Sequence, residues 1–380
     1  MKIGTEHHGA AATTTRRERK GALPAAGGRM LKGLLLSCCF AWSGAQAAYT
    51  NLVVFGDSLS DTGNNAFVFD VVGAAGSPSL PPGTLRTPLP TPDNSFIPSF
   101  PYATPVGGRY SNGPVWVETF AQNYGLAAVA SNLGGSNYAY GGARVGPLGS
   151  LNPFASFPDN FPLSLTTQVA TFLAQNSGVA PAGSLYVVAG GGNDARDIIA
   201  AAATYLAGGG DPLLLPDFLL PLAAAYAGQV DALVEQLEDA GAEDIIVWNT
   251  PNAGKAPAIR AEGALAIALG SAVSGLMNDV LEALLADDLA HVRIFDAFAF
   301  VTGVADNPGA YGLTNVTDAC SANPGASCGD DFFWDGIHPT AAGHRLLASA
   351  MIGFVPEPAT LVLVALGLFG LGATGRRRQA

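Results

Sequence analysis

Residues 51–65, NLVVFGDSLSDTGNN, decide how this chain is read. The run 51–55 is short, apolar and rich in β-formers, the pattern of a strand buried on both faces. It stops at a Gly-Asp-Ser turn, so the strand delivers Asp57 and Ser58 at its carboxyl end. In open parallel sheets that is the end where ligands bind. A serine there becomes a nucleophile only if a base takes its proton and donors stabilise the oxyanion that forms. Those parts must come from the ends of other strands.

Three further runs, 184–189, 244–249 and 291–295, have the same buried-strand character. Between them, Ala/Leu-rich segments at 165–175, 217–240 and 261–285 repeat with helical period. Strands alternating with helices predict βαβ units, hence a parallel sheet covered on both sides. The 48 Gly and 26 Pro fit long loops rather than a helical bundle. Residues 73–108 are Pro-rich and without period. So long a loop in a compact domain is a functional lid or an insertion. Following the Gly-Asp-Ser turn closely, it reads as a wall of the pocket Ser58 faces, with plain surface decoration as the alternative.

The ends do not read as fold. Residues 1–29 form a polar, Arg-rich leader, and from Met30 a charged stretch, a short apolar run through Trp42 and Ala45-Gln46-Ala47 follow. That is the layout of a secretory signal cut after Ala47. A buried N-terminal helix, or a lipoprotein processing site at Cys38, are the other readings. At the far end Pro356-Glu357-Pro358 precedes an apolar segment, 359–373, and Arg376-Arg377-Arg378. The segment is slightly short of the roughly 17–25 residues of a bilayer span, and the arginines would hold that end in the cytoplasm. The tail closely resembles the PEP-CTERM sorting signal of Gram-negative bacteria. The resemblance implies export, transient membrane anchoring, removal of the tail by a sorting protease, and delivery to the cell surface or extracellular matrix. A permanent anchor is the plainer alternative. The expected organisation is therefore 1–47 leader and signal, 48–355 folded domain, and 356–380 sorting segment.

The leader and tail hold ten of the 18 Lys+Arg but only three of the 30 Asp+Glu, so residues 48–355 carry about −19, a charge that disfavours nucleic acid as a partner. Cys38 and Cys39 leave with the signal. The remaining pair, Cys320 and Cys328, closes a short loop and reads as a disulfide in an oxidising compartment. Two thiols without His or Cys neighbours make a poor zinc site, and no metal is expected.

Beyond the signal the chain has three histidines. His291 opens a strand, at its amino end and on the wrong side of the sheet. His344 lies in an apparent helix, where a packing or capping role is the simpler reading. His338 sits in a loop, WDGIHPTAAGH, three residues after Asp335. A D-x-x-H spacing lets the carboxylate accept from one ring nitrogen while the other faces the serine. For the oxyanion, SLYVVAGGGNDARD ends a strand in glycines and Asn193, whose amide can donate into a pocket. The bland reading is a Gly-Asn turn with Asp194 as helix N-cap. SNYAYGGARV adds Gly141-Gly142, whose backbone N–H groups are further candidates.

FGDSLSDTGN, NYAYGGA, GGND and DGIHP occur in that order, and together they resemble the four blocks of the GDSL, or SGNH, hydrolases. The resemblance spans nearly the whole domain and implies a flavodoxin-like three-layer α/β/α sandwich with a central parallel sheet. It further implies hydrolysis of carboxyl esters or related acyl groups, with no cofactor. By it Ser58 is the nucleophile, His338 the base and later the acid, and Asp335 the residue that orients the histidine. The oxyanion hole is then the N–H of Ser58, the N–H of Gly142 (or of Gly141) and the Asn193 side chain. Asp57 shapes the turn. Residues 108–118, GRYSNGPVWVE, look like another family segment, opening a helix near Val115 with Pro114 in its first position. The G-x-S-x-G elbow, a Walker loop and H-E-x-x-H do not occur. Lipid-like esters and acetylated polysaccharide both fit as substrates. Acyl transfer on the same fold and a non-catalytic matrix role are the rival functions.

Overall fold

Each apolar run becomes a strand in the computed structural model, which describes residues 49–74, 107–146, 161–287, 292–322 and 327–355, with backbone alone for 70–74. The strands are β1 (Asn51–Gly56), β2 (Ser184–Ala189), β3 (Ile245–Trp248) and β4 (Val292–Phe295). They form one parallel sheet in the order β1-β2-β3-β4. The helices among the described residues are α1 (Asn64–Ala74), α2 (Trp116–Asn123), α3 (Leu165–Gln175), α4 (Gly192–Ala207), α5 (Leu215–Asp239), α6 (Pro257–Ala261), α7 (Ala264–Leu284), α8 (Ala297–Asp306) and α9 (Ala341–Phe354).

Side chains alternate across the strands, and each set meets its own layer of helices. Val53, Phe55, Tyr186, Val188, Ile245 and Val247 pack with residues of α3, α4, α5 and α7. Leu52, Val54, Leu185, Val187, Ile246 and Trp248 pack with α2 and α9 on the other face. Both faces are dry, which is why the strands read as unbroken apolar runs. The fold is therefore an α/β/α sandwich. By length and composition alone α5 and α7 pass for membrane spans, yet both bury their apolar stripes against the sheet.

The free edge of β1 is not bare. Val54 donates its N–H to Ser136 O at 3.1 Å, and Val54 O and Gly56 O accept from the N–H groups of Tyr138 and Tyr140 at 2.7 and 3.1 Å. The segment NYAYGGA thus runs along β1 as an irregular fifth strand, which covers an edge that would otherwise invite foreign pairing.

Three local expectations are corrected. The helix expected over 261–285 is α7, and it starts only at Ala264, because Gly263 adopts φ +92° and separates it from α6. Asp194 is not the N-cap of α4. The helix begins at Gly192 with Gly191 capping it at φ +109°, so Asp194 lies in the first turn, where a carboxylate still favours the positive end of the helix dipole. Pro114 is not the first residue of α2 either, since Val115 is the cap and Trp116 opens the helix. There Glu118 folds back to accept the Val115 N–H at 2.9 Å and is gripped by Arg109 at 2.7 and 2.5 Å.

Cys320 and Cys328 are joined by a disulfide across a Cα–Cα distance of 5.7 Å. The chain divides into two units, of which Ala47–Pro358 contains every described residue. The leader and signal, the sorting tail, all but the ends of the 73–108 insertion, and His291 lie outside the described residues.

Gly56 closes β1 where backbone meets backbone. A Cβ there would come within 2.7 Å of Ala189 O, and the buried Gln168 clasps both its N–H (2.8 Å) and its C=O (2.9 Å). Gly56→Ala should therefore destabilise the domain by about 1–3 kcal/mol, as overpacking of a rigid site does, read as a fall in urea midpoint. An unchanged midpoint would show that the strand ends have room to part.

Candidate active site

The turn after β1 is built by Asp57. Its carbonyl accepts the N–H groups of Ser60 and Asp61 at 3.1 and 3.0 Å, and its Oδ1 accepts the Leu59 N–H at 3.0 Å. Ser58 is left at the apex, facing the loop that precedes α9. There Ser58 Oγ lies 2.8 Å from His338 Nε2, and His338 Nδ1 lies 2.6 Å from Asp335 Oδ2. The second oxygen of Asp335 accepts the N–H groups of Ile337 and His338 at 2.9 and 2.7 Å. One carboxylate thus folds the D-x-x-H loop and fixes the imidazole-bearing residue it contains. Exposure falls along the relay, from 6% at Ser58 to 2% at His338 and none at Asp335. The disulfide segment braces the same loop, Cys320 and Ser321 donating to Phe333 O and Trp334 O at 3.0 Å each.

The small polar residues behind Ser58 have a task of their own. Asp61 is fully buried and accepts four backbone N–H groups, from Gly63 and Asn64 at 2.8 Å, Gly141 at 3.0 Å and Asn65 at 3.3 Å. Asn64 Nδ2 donates to Asn137 O and Ala139 O at 2.8 and 2.9 Å, and Asn65 Nδ2 donates to Gly141 O at 2.9 Å. The first sequence block therefore holds the second by its side chains.

This arrangement separates the two glycines. The N–H of Gly141 is spent on Asp61, and a Cβ at Gly141 would strike the Tyr110 ring at 2.0 Å. Gly142 has φ +84°, and its N–H and that of Ser58 have no protein partner among the described residues. Asn193, buried at the start of α4, donates one amide hydrogen to Ala143 O at 2.9 Å and keeps the other. Ser58, Asn193 and His338 line a single pocket whose walls include Trp248, Ile259, Val301, Phe332 and Ile337.

His344 stands apart from this chemistry. Its Nδ1 accepts the N–H of Trp116 at 3.2 Å, capping α2. Burial, with the charge of His338 nearby, pushes its pKa down to about 3, so it stays neutral. Tyr110, whose ring centroid is 5.3 Å from that of His338, and Asp61 are site residues that sequence reasoning passed over. Asp61 had a signal, its place within FGDSLSDTGN. Tyr110 had none beyond membership of 108–118.

An α/β/α sandwich with a serine–imidazole–carboxylate relay at its strand ends defines the architectural class. Residues 52–351 match the family model described as GDSL-like Lipase/Acylhydrolase, and the chain belongs to that family. It is similar to Thermolabile hemolysin of Vibrio parahaemolyticus, 27% identical over 330 residues that cover 79% of this chain and 62% of that protein. It is similar also to Esterase EstA of Pseudomonas aeruginosa, 28% identical over 353 residues that cover 87% of this chain and 50% of that one. A GDSL esterase/lipase of Arabidopsis thaliana is 24% identical over 355 residues, covering 82% and 87% of the two chains. The chain thus spans only 62% and 50% of the length of the two bacterial relatives. Residues 354–378 match the PEP-CTERM protein-sorting motif, a mark of export and sorting in Gram-negative bacteria.

Burial pushes the carboxyl groups of Asp57 and Asp194 up, to about 6 and about 7. Asp194 accepts the Val145 N–H at 3.2 Å, a bond an asparagine oxygen can also accept. An acid whose pKa is higher folded than unfolded holds its proton more tightly in the fold. Its contribution to stability is complete below its ordinary value of 3.8 and is lost as pH rises to about 7. Asp194→Asn should therefore flatten the decline of the urea midpoint between those limits. Parallel profiles for variant and wild type would remove Asp194 as the cause.

Proposed function

We propose that the chain is an exported serine ester hydrolase in which Ser58 is the nucleophile. The observation that carries the reading is the continuous relay from Ser58 Oγ through the His338 ring to Asp335, at 2.8 and 2.6 Å. His338 Nε2 takes the serine proton as Ser58 Oγ attacks the ester carbonyl. Asp335 holds the Nδ1–H, fixes the tautomer and stabilises the imidazolium that forms. The negative oxygen of the tetrahedral intermediate is received by the N–H of Ser58, the N–H of Gly142 and the free amide hydrogen of Asn193. His338 then returns its proton to the leaving alcohol, giving an acyl-enzyme. Water, activated by the same imidazole, releases the acid and restores Ser58.

The pocket beside Ser58 is walled by apolar side chains, which supports acyl groups of some length over acetyl alone. The esterase and lipase names of the relatives agree with this reading. The match at 354–378 supports an export route in which the signal at 1–47 directs secretion of the 48–355 domain. The tail from 356 anchors it until a sorting protease acts, and the domain is then delivered to the surface or matrix.

Ser58→Ala should abolish both p-nitrophenyl ester turnover and labelling by a fluorophosphonate probe. Turnover that survives in this variant would refute the assignment. Asn193→Ala should lower kcat by about 10²–10³ with KM little changed, the effect of deleting one oxyanion donor. A loss confined to KM would move Asn193 from the oxyanion to substrate binding.

A further inference from the structure

Cations are scarce in this domain, and more than half of those described are held by acids. Seven Lys and Arg side chains fall among the described residues. Four of them are ion-paired: Arg109 with Glu118 at 2.5 Å, Arg144 with Asp197 at 2.7 Å, Lys255 with Asp306 at 2.6 Å, and Arg293 with Asp244. Arg196, like Arg260 and Arg345, makes no ion pair among the described residues, although Asp197 and Asp335 lie near enough to act on its charge. It is also the one Lys or Arg among those that line the pocket of Ser58 and His338. Its Nη1 makes a long contact, 3.4 Å, to Asn193 Oδ1, which places the guanidinium beside the residue that faces the reacting carbonyl.

Carboxylates near Arg196 favour its charge without pairing with it. Partial burial of the guanidinium and the nearby Arg144 push the Arg196 pKa down against the pull of Asp197 and Asp335, so two like charges stand close together at the site. Arg144 is occupied, by Asp197 and by Gly142 O at 3.0 Å. Arg196 is exposed as a residue, and the long contact to Asn193 is its one side-chain hydrogen bond among the described residues. Across the pocket the walls are apolar, so the half of a substrate lodged there is a hydrocarbon. The half that meets Arg196 is then the other side of the ester.

We propose that Arg196 is the specificity residue of this site, selecting esters that carry one phosphate or carboxylate group on the alcohol side while the acyl chain lies in the apolar pocket. A guanidinium recognises either anion through paired N–H donors, and this geometry a lysine does not reproduce. The inference rests on the reading of Ser58 as nucleophile. It differs from a purely positioning role for Arg196, in which the contact to Asn193 only orients the amide and every substrate suffers alike.

Three para-substituted phenyl hexanoates, bearing carbamoyl, carboxylate or phosphonate groups, separate these readings. Wild type should favour at least one anionic ester over the carbamoyl ester by about tenfold in kcat/KM, the scale of one charge-assisted contact. Arg196→Gln should bring that ratio close to one, and Arg196→Lys should retain part of it. A preference for the phosphonate assigns the natural anion to a phosphate, and a preference for the carboxylate assigns it to an acidic sugar or similar acid. Equal turnover of all three esters by wild type overturns the proposal. So does an anionic-to-neutral ratio that survives in Arg196→Gln, or a loss that is equal on every ester. Should wild type cleave none of them, the hydrolase reading fails separately, and calorimetric binding of the intact esters decides. Tighter binding of an anionic ester that disappears in Arg196→Gln upholds Arg196 as the anion site, and equal affinities overturn it.

Discussion

The site depends on one buried carboxylate that takes no part in the relay. Asp61 gathers four N–H groups, three from its own turn and one from Gly141, some 80 residues on. Those bonds fasten the turn that bears Ser58 to the turn that bears Gly142. Placing a carboxylate in a dry interior is expensive unless its lone pairs are filled, and here four donors fill them. One of those donors is the N–H of Gly141, while that of Gly142 has no protein partner among the described residues. Asp61, one turn beyond the serine, thus gives two adjacent glycines, identical in sequence, different hydrogen bonding.

Polar chemistry is confined to one end of an apolar body. The sheet presents fully buried hydrocarbon to both helical layers, while Asp57, Ser58, Asp61, Asn193, Asp335 and His338 are all buried at or beyond the strand ends. The side chains of these six residues each have a hydrogen-bond partner. Gln168 supplies partners for the last residue of β1, reaching from α3 to substitute for a missing strand with both ends of its amide. The apolar layers set the distance between the strand ends, and the polar contacts set the orientation of what stands on them.

Much of this was legible in the residues. The strands read as apolar runs, since parallel strands covered on both faces need no polar alternation. Ser58, Asp335 and His338 were legible because short-range spacing, a strand-end turn and D-x-x-H, encodes short-range geometry. The disposition of the glycines was not, because it depends on Asp61 meeting Gly141 across the fold. Arg196 was invisible for a related reason. A lone arginine on a helix carries no pattern, and its place beside Asn193 in the pocket of Ser58 appears only in the fold. The errors were likewise local ones decided by backbone: Gly191 and Gly263, both with positive φ, set helix starts that periodicity cannot place.

Ser58 follows the first strand and His338 precedes the last helix, so 280 residues separate the two ends of a 2.8 Å hydrogen bond. A polypeptide that emerges amino end first contains the hydroxyl early and the imidazole almost last. No N-terminal fragment short of that loop, however well it packs its sheet, can possess the pair. The contact between Ser58 and His338 can therefore form only when nearly the entire domain has been synthesised and folded.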